Sequence, residues 1–220
     1  MRQEIVELLL LGIGETFYMT LVSTAAAYVL GVPLGVLVYI TDSGRICENR
    51  VLNLITGVII NLVRSVPFLI LLVALLPFTR WIAGTTIGST ATIVPLVVAA
   101  APFVARLVES SLKEVDAGVI EAAKAMGSSP AQIIYKVLLP EAKPSLFVGS
   151  TIALATILGY SAMAGFVGGG GLGAVAINYG YYRYQTNVML VTVILLVIIV
   201  QLFQEVGIRF VNKIDKRTKQ

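Results

Sequence analysis

The chain has 220 residues, of which 57% are hydrophobic and only 13% are charged. A soluble domain carries about twice that share of charge, so the composition calls for a lipid environment, where helices are apolar on every side. With no histidine, one cysteine (Cys47) and a net charge of +4, the sequence excludes His-based catalysis, His-ligated metal, an internal disulfide and any CxxC site. A small Lys/Arg excess in a membrane protein reports topology and gives no reason to assign nucleic acid.

Crossing about 30 Å of hydrocarbon takes roughly 20 helical residues. Five stretches meet that length: residues 16–40, one within 51–78, one within 91–108, residues 145–164 and residues 188–206. Arg2 is accompanied by Glu4 and Glu7 ahead of a long apolar stretch. That is not the pattern of a secretory signal, so the first helix is expected to stay in the mature protein. The reading is one all-α membrane domain over 1–220, with a long polar loop at 109–144 and a basic tail at 209–220.

The links differ in character. Residues 41–50 (TDSGRICENR) are short and polar, residues 79–90 hold Gly84 and Gly88, and residues 165–187 are rich in Gly and Tyr. Most of the 16 Lys and Arg fall in the first link, the long loop with Arg106, and the tail. Arg2, Arg80 and Arg183 fall on the opposite side, and Arg64 sits within the second stretch. The positive-inside rule then places the 109–144 loop and the C-terminus in the cytoplasm, and the N-terminus and the glycine-rich link outside.

The long loop reads EVDAGVIEAAKAMGSSPAQIIYKVLLPEAKP from Glu114. Asp116 is placed to cap a first short helix that runs through Glu121. Gly127 stands where a left-handed residue ends that helix without a Cβ penalty. Ser129, Pro130 and Gln132 form a capping box with a first-turn proline, and Pro140 is expected to end the second helix. The result is a rigid helical hairpin, able to transmit a displacement that a floppy loop would absorb.

The spacing Glu121-Ala122-Ala123, three residues, Gly127, nine residues, Val137-Leu138-Leu139-Pro140 resembles the EAA loop of ABC importer permeases. Further markers extend the resemblance over nearly the whole chain: Glu15-Thr16 with Met19-Thr20, Arg64-Ser65-Val66-Pro67-Phe68, Ala101-Pro102-Phe103-Val104-Ala105-Arg106, Gly159-Tyr160-Ser161-Ala162-Met163, and the Gly170-Gly171-Leu172-Gly173 run. Together they are most similar to the methionine importers of that family. The resemblance implies a type I ABC importer permease fold of five transmembrane helices in the bacterial inner membrane. It implies a homodimer on two cytoplasmic ATPase subunits, which hold ATP and Mg, and an external binding protein that delivers the amino acid. Glu121, Ala122, Ala123, Gly127, Leu139 and Pro140 would form the coupling helix that docks on the ATPase, and the helices would rock between outward- and inward-open states. The chain itself would carry no cofactor, and it has no GxxxxGK[ST] phosphate loop.

Three groups of residues invite two readings each. Arg64, with Ser65 and Pro67, either lines a gated cavity, as a costly charge in lipid suggests, or lies near cytoplasmic headgroups. Tyr160, Ser161 and Met163 either line the pathway or pack at a crossing of small residues. Gly168, Gly170 and Gly173 match GxGxxG without a βαβ unit around them, so a dinucleotide site is not indicated. Gly170, Gly171, Gly173, Tyr179 and Tyr181 are expected in a flexible or re-entrant outer turn facing the binding protein, with the tyrosines as interfacial belt residues. The basic tail reads as a topology signal and a contact for anionic lipid.

Rival readings are a stand-alone channel or ion-coupled carrier, an intramembrane enzyme, and an importer of the same class for another small solute. No intramembrane acidic relay supports the first, and the missing His, HExxH and membrane Asp pair argue against the second.

Overall fold

The computed structural model describes residues 2–214. Its helices in chain order are α1 (Arg2–Thr41), α2 (Arg50–Ser65), α3 (Phe68–Ala74), α4 (Leu76–Ala83), α5 (Ser89–Lys113) and α6 (Ala117–Ala125). Then follow α7 (Pro130–Ile133), a π turn (Ile134–Leu138), α8 (Leu139–Glu141) and α9 (Lys143–Ala164). A 3₁₀ turn (Gly165–Val167), α10 (Gly171–Val175), a second π turn (Ala176–Tyr181) and α11 (Thr186–Ile214) complete the chain. Among the described residues there is no strand. Of the basic tail, the part beyond Ile214 lies outside the described residues.

Four helical stretches are long and apolar enough to cross a bilayer: Gln3–Thr41, Ser89–Lys113, Lys143–Tyr181 and Thr186–Arg209. The broken pair α2 and α3, bent by 101°, makes a fifth. The break has a local cause. Pro67 cannot donate a backbone hydrogen bond and pushes the residue before it out of the helical region. Val66 accordingly sits at φ −81°, ψ 126°. The second stretch is therefore two half-helices, and α4 carries the helical path on through Thr79 to a left-handed Gly84.

The packing centre is α5. Its buried Leu96, Ala100, Val104, Val108 and Leu112 recur every fourth residue and form one stripe. Against it lies the small, hydroxyl-rich face of α1, with Thr16, Thr20, Ser23 and Ala27 buried. Small residues let helix backbones approach where no water-driven collapse is available. At Gly31 and Gly35 the approach is so close that a Cβ would fall 2.7 Å from Val104 or 2.5 Å from the Ala105 carbonyl oxygen. On the other side α9 packs through Ala153, Ile157 and Ala164. The same cluster of buried residues continues without interruption into the loop hairpin through Val115, Ile120, Ala123, Ile133 and Leu138. That continuity joins the hairpin mechanically to the spanning helices.

Candidate functional site: a rooted hairpin and a broken helix

The hairpin is held by its own caps. The Asp116 Oδ1 accepts from the Gly118 N–H at 2.6 Å. Gly127 takes φ +77°, which lets the Ser128 N–H reach back to the Ala123 carbonyl at 3.1 Å and the Gly127 N–H to Lys124 at 2.9 Å. A residue with a side chain is strained there. Ser129 and Gln132 exchange the reciprocal bonds of a capping box, at 2.8 and 3.4 Å. Each of these features was anticipated from the residue pattern.

Pro140 departs from expectation. It does not end the second helix; it lies in α8, and helical turns run from Pro130 to Glu141. The π turn at Ile134–Leu138 is the reason: widening the coil moves the carbonyls away from the proline ring and changes which acceptor loses its donor. The Leu139 N–H bonds to the Ile134 carbonyl, five residues back.

Burial divides the hairpin into a root and a face. Ala123 is buried inside it, with Ile120, Ile133 and Leu138. Glu121, Ala122, Gly127 and Pro140 are exposed, and Leu139 is half-buried. Ala123 thus fixes the hairpin to the core, while Glu121 and Ala122 are free to meet a partner. Three large apolar residues stand beside them in the open: Val119, Met126 at 78% and Tyr135 at 72% exposure. The sequence reading passed over these three. Their signal was apolar side chains off the buried stripe of a short polar loop, which becomes legible only once the stripe is fixed.

The hairpin's root meets a second polar assembly. Glu109 is buried, and its two carboxylate oxygens accept from Arg106 and, at 2.7 Å, from Lys113. Arg106 also donates to the Asn61 Oδ1 at 2.9 Å and to the Gly57 carbonyl at 3.4 Å. The lower end of α5 is thereby tied to α2 just before the chain enters the hairpin. The sequence marks Arg106 as a topology charge and as the end of the Ala101–Arg106 family motif, and the structure adds this structural tie.

At the level of the break, Arg64 is exposed at the last turn of α2. It lines a cavity of about 200 Å³ with Val63, Val66, Phe68, Leu71, Ala99, Phe103 and Tyr160. The rings of Phe68 and Tyr160 stack 4.5 Å apart and 7° from parallel. Ser65 and Pro67 are exposed nearby, the Ser65 hydroxyl donating to the Asn61 carbonyl at 2.8 Å. Met163, on an outward face of α9, is exposed. Ser161 points the other way: it is buried and donates to the Leu158 carbonyl at 2.8 Å. Tyr160 and Arg64 share a wall, and Ser161 does not belong to it. For Ser161, the packing reading is the one that its burial supports.

The glycine run is tightly packed, which argues against the flexible form of the expected turn and leaves the re-entrant form open. Gly171 and Gly173 are buried. A Cβ on Gly173 would run into the backbone of Ala162. The Gly171 N–H donates to the Glu15 carboxylate at 2.6 Å and the Leu172 N–H to the Thr16 hydroxyl at 2.9 Å. Thr92 donates to the Gly169 carbonyl at 3.2 Å, and the Gly88 N–H to Gly168 at 2.9 Å. The run binds α1, α5 and α10 together, which gives Glu15 and Thr16 a structural role. Gly170 is half-buried in the same run. Of the residues expected to face a binding protein, Tyr181 is exposed and Tyr179 half-buried under the Arg183 guanidinium, 4.2 Å above its ring.

Residues 31–220 match the family described as the inner membrane component of binding-protein-dependent transport systems. The chain belongs to this family. Among its relatives, a probable D-methionine transport system permease protein of Vibrio cholerae is 51% identical over 96% of this chain and 94% of its own. The D-methionine transport system permease protein of Escherichia coli K12 is 52% identical over 75% and 76%. The fold superposes with a TM-score of 0.96, at 50% identity and over 98% of this chain and 100% of the other, on a chain of the MetNI methionine ABC transporter in an inward-facing conformation. A chain of an amino acid ABC transporter at 19% identity shares the fold, with a TM-score of 0.79. The fold is therefore that of a type I importer permease, four long helices and one broken span.

Proposed function

We propose that this chain is the membrane-spanning subunit of a methionine importer. Two copies form the pathway across the bacterial inner membrane, with their N-termini outside and the 109–144 loop inside. Two cytoplasmic ATPase subunits dock on the hairpins, hold ATP and Mg, and drive alternating access. An external binding protein delivers the amino acid. The chain is not an ATPase itself; its relatives are named permease proteins, and methionine comes from their names and from the structure it matches.

The observation that carries the reading is the rooted hairpin. A charged and apolar face of Glu121, Val119, Met126 and Tyr135 is exposed, while Ala123 and Ile120 lock into the same core as α5. A partner that pulls differently on this face in two nucleotide states biases two arrangements of the helices, which is the thermodynamic requirement for a pump.

The test is ATP-dependent uptake of labelled methionine into proteoliposomes holding this chain, its ATPase and the binding protein. Glu121→Ala and Gly127→Pro are expected to abolish at least nine-tenths of uptake while the membrane dimer still assembles. If methionine does not enter but ATP turnover responds to the loop variants, the importer class stands and the substrate fails. If neither responds, the coupling role of the hairpin is wrong.

A further inference from the structure

The turn that leads into α11 forms a crevice with the first two turns of α1. Its depth is set by α11, whose apolar stretch starts at Thr186 and is mostly open on its sides. Arg183 and Gln185 directly precede that stretch, so they stand at a membrane boundary, at the level of lipid headgroups. With Glu4, Ile5, Leu8 and Tyr179 they line a cavity of about 250 Å³. The Arg183 guanidinium lies 4.2 Å over the Tyr179 ring and makes no ion pair among the described residues. It is exposed, so its donors are open to an anion. Tyr181, Tyr182 and Tyr184 beside it are exposed as well, and tyrosine settles at the headgroup level.

The crevice continues into the hydrocarbon. A second cavity, of about 230 Å³, shares Leu8 and Tyr179 with the first and runs between Leu11 and Gly12 of α1 and Ala174 and Val175 of α10. It ends at Glu15, whose carboxylate accepts from the Gly171 N–H. From Glu4 to Glu15 is about 16 Å along α1, close to the roughly 15 Å depth of hydrocarbon in one leaflet. A charged pocket above an apolar furrow one leaflet deep matches the two parts of a phospholipid.

We propose that this crevice holds one phospholipid with a primary amine in its headgroup. The phosphate pairs with Arg183 through charge-assisted hydrogen bonds. The amine end faces the Glu4 side of the cavity, where a carboxylate disfavours a headgroup of net negative charge. One acyl chain fills the furrow along Leu8, Leu11 and Val175, where it gains dispersion contacts on more sides than a flat helix face offers. The lipid thereby ties the start of α1 to the turn before α11. That it belongs to the outer leaflet rests on the orientation proposed above, which the labelling of Cys47 decides independently.

The experiment places the complete transporter with its ATPase in liposomes of phosphatidylethanolamine and phosphatidylglycerol. A trace of phosphatidylethanolamine with a diazirine in one acyl chain is added and photolysed, and the label is located by tandem mass spectrometry. Exposed Leu190, Ile194 and Val197 of α11 report bulk lipid. Label at Leu8, Leu11 and Val175 is expected to exceed theirs by about tenfold, the factor that one charge-assisted hydrogen bond supplies. Phosphatidylglycerol with the same diazirine is expected to label the furrow at the bulk level only. Arg183→Ala should bring furrow labelling by phosphatidylethanolamine down to the bulk level and leave α11 unchanged, and Arg183→Lys should retain most of it. Furrow labelling no stronger than on α11, equal labelling by the two lipids, or labelling unchanged in Arg183→Ala would each overturn the proposal. So would a disulfide between two copies carrying Leu11→Cys in a Cys47→Ser background, since a second copy would then cover the furrow.

Discussion

At the scale of single residues, the polar groups placed inside this apolar chain are the informative ones. Glu109 illustrates the point. Removing one partner from a buried ion pair costs about 3–5 kcal/mol when the other charge is stranded, but Arg106 and Lys113 keep 26% and 45% of their side chains exposed. Water therefore relieves part of the loss, and Glu109→Gln is expected to destabilise by about 1–2 kcal/mol. Thermal unfolding in detergent should show the drop, and a second change, Lys113→Met, should recover part of it. If Glu109→Gln leaves the midpoint unmoved, the two ion pairs within α5 contribute nothing measurable to stability. Gly173 is a sharper case. Its missing Cβ is replaced in space by the backbone of Ala162, and backbone does not rotate aside. Gly173→Ala is expected to lose stably folded protein, seen as loss of a monodisperse size-exclusion peak, whereas Gly44→Ala, in the open link between α1 and α2 with φ +74° and nothing near its Cβ position, should cost only about 1 kcal/mol of backbone strain.

At the scale of elements, two prolines do opposite things. Pro67 breaks α2 from α3, because Val66 goes extended and nothing in the local packing restores the helix. Pro140 is absorbed by a π turn. The helix end that the sequence predicts at Pro140 is not found there. A helix interrupted by proline continues when neighbouring packing holds its two halves in line, and Ile133, Leu138 and Ala142 are all anchored in one core. Pro67→Ala removes the local cause of the 101° bend. With spin labels at positions 58 and 73 in a Cys47→Ser background, the distance between them is expected to lengthen by up to roughly 8 Å. Uptake should fall with it. An unchanged distance would mean that tertiary contacts, rather than the proline, hold the bend.

At the scale of the whole molecule, orientation is the property most directly testable. Cys47 is the single cysteine, exposed in the link between α1 and α2. The proposed topology places that link in the cytoplasm, as the Lys/Arg distribution implies. A membrane-impermeant maleimide is therefore expected to label Cys47 in inside-out vesicles and to leave it untouched in right-side-out ones. The reverse pattern would invert the assignment, and with it the place of the hairpin and of the ATPase.

What the residues determined by themselves was whatever depends on local chemistry. Composition required a bilayer. Residues Asp116, Gly127, Ser129 and Gln132 specified the caps of the hairpin, since a cap is settled within four residues. The EAA spacing specified the family. Tertiary structure decided what depends on which face of a helix meets which neighbour. It buried Ala123 and exposed Met126, and it turned Ser161 inward beside a half-buried Tyr160. It also folded the glycine run into a knot around Glu15 and Thr16, and set Arg64 opposite Ala99 and Phe103. In a helix that is apolar on nearly every side, periodicity no longer distinguishes the face toward protein from the face toward lipid. That choice is made by contacts between residues far apart in the chain.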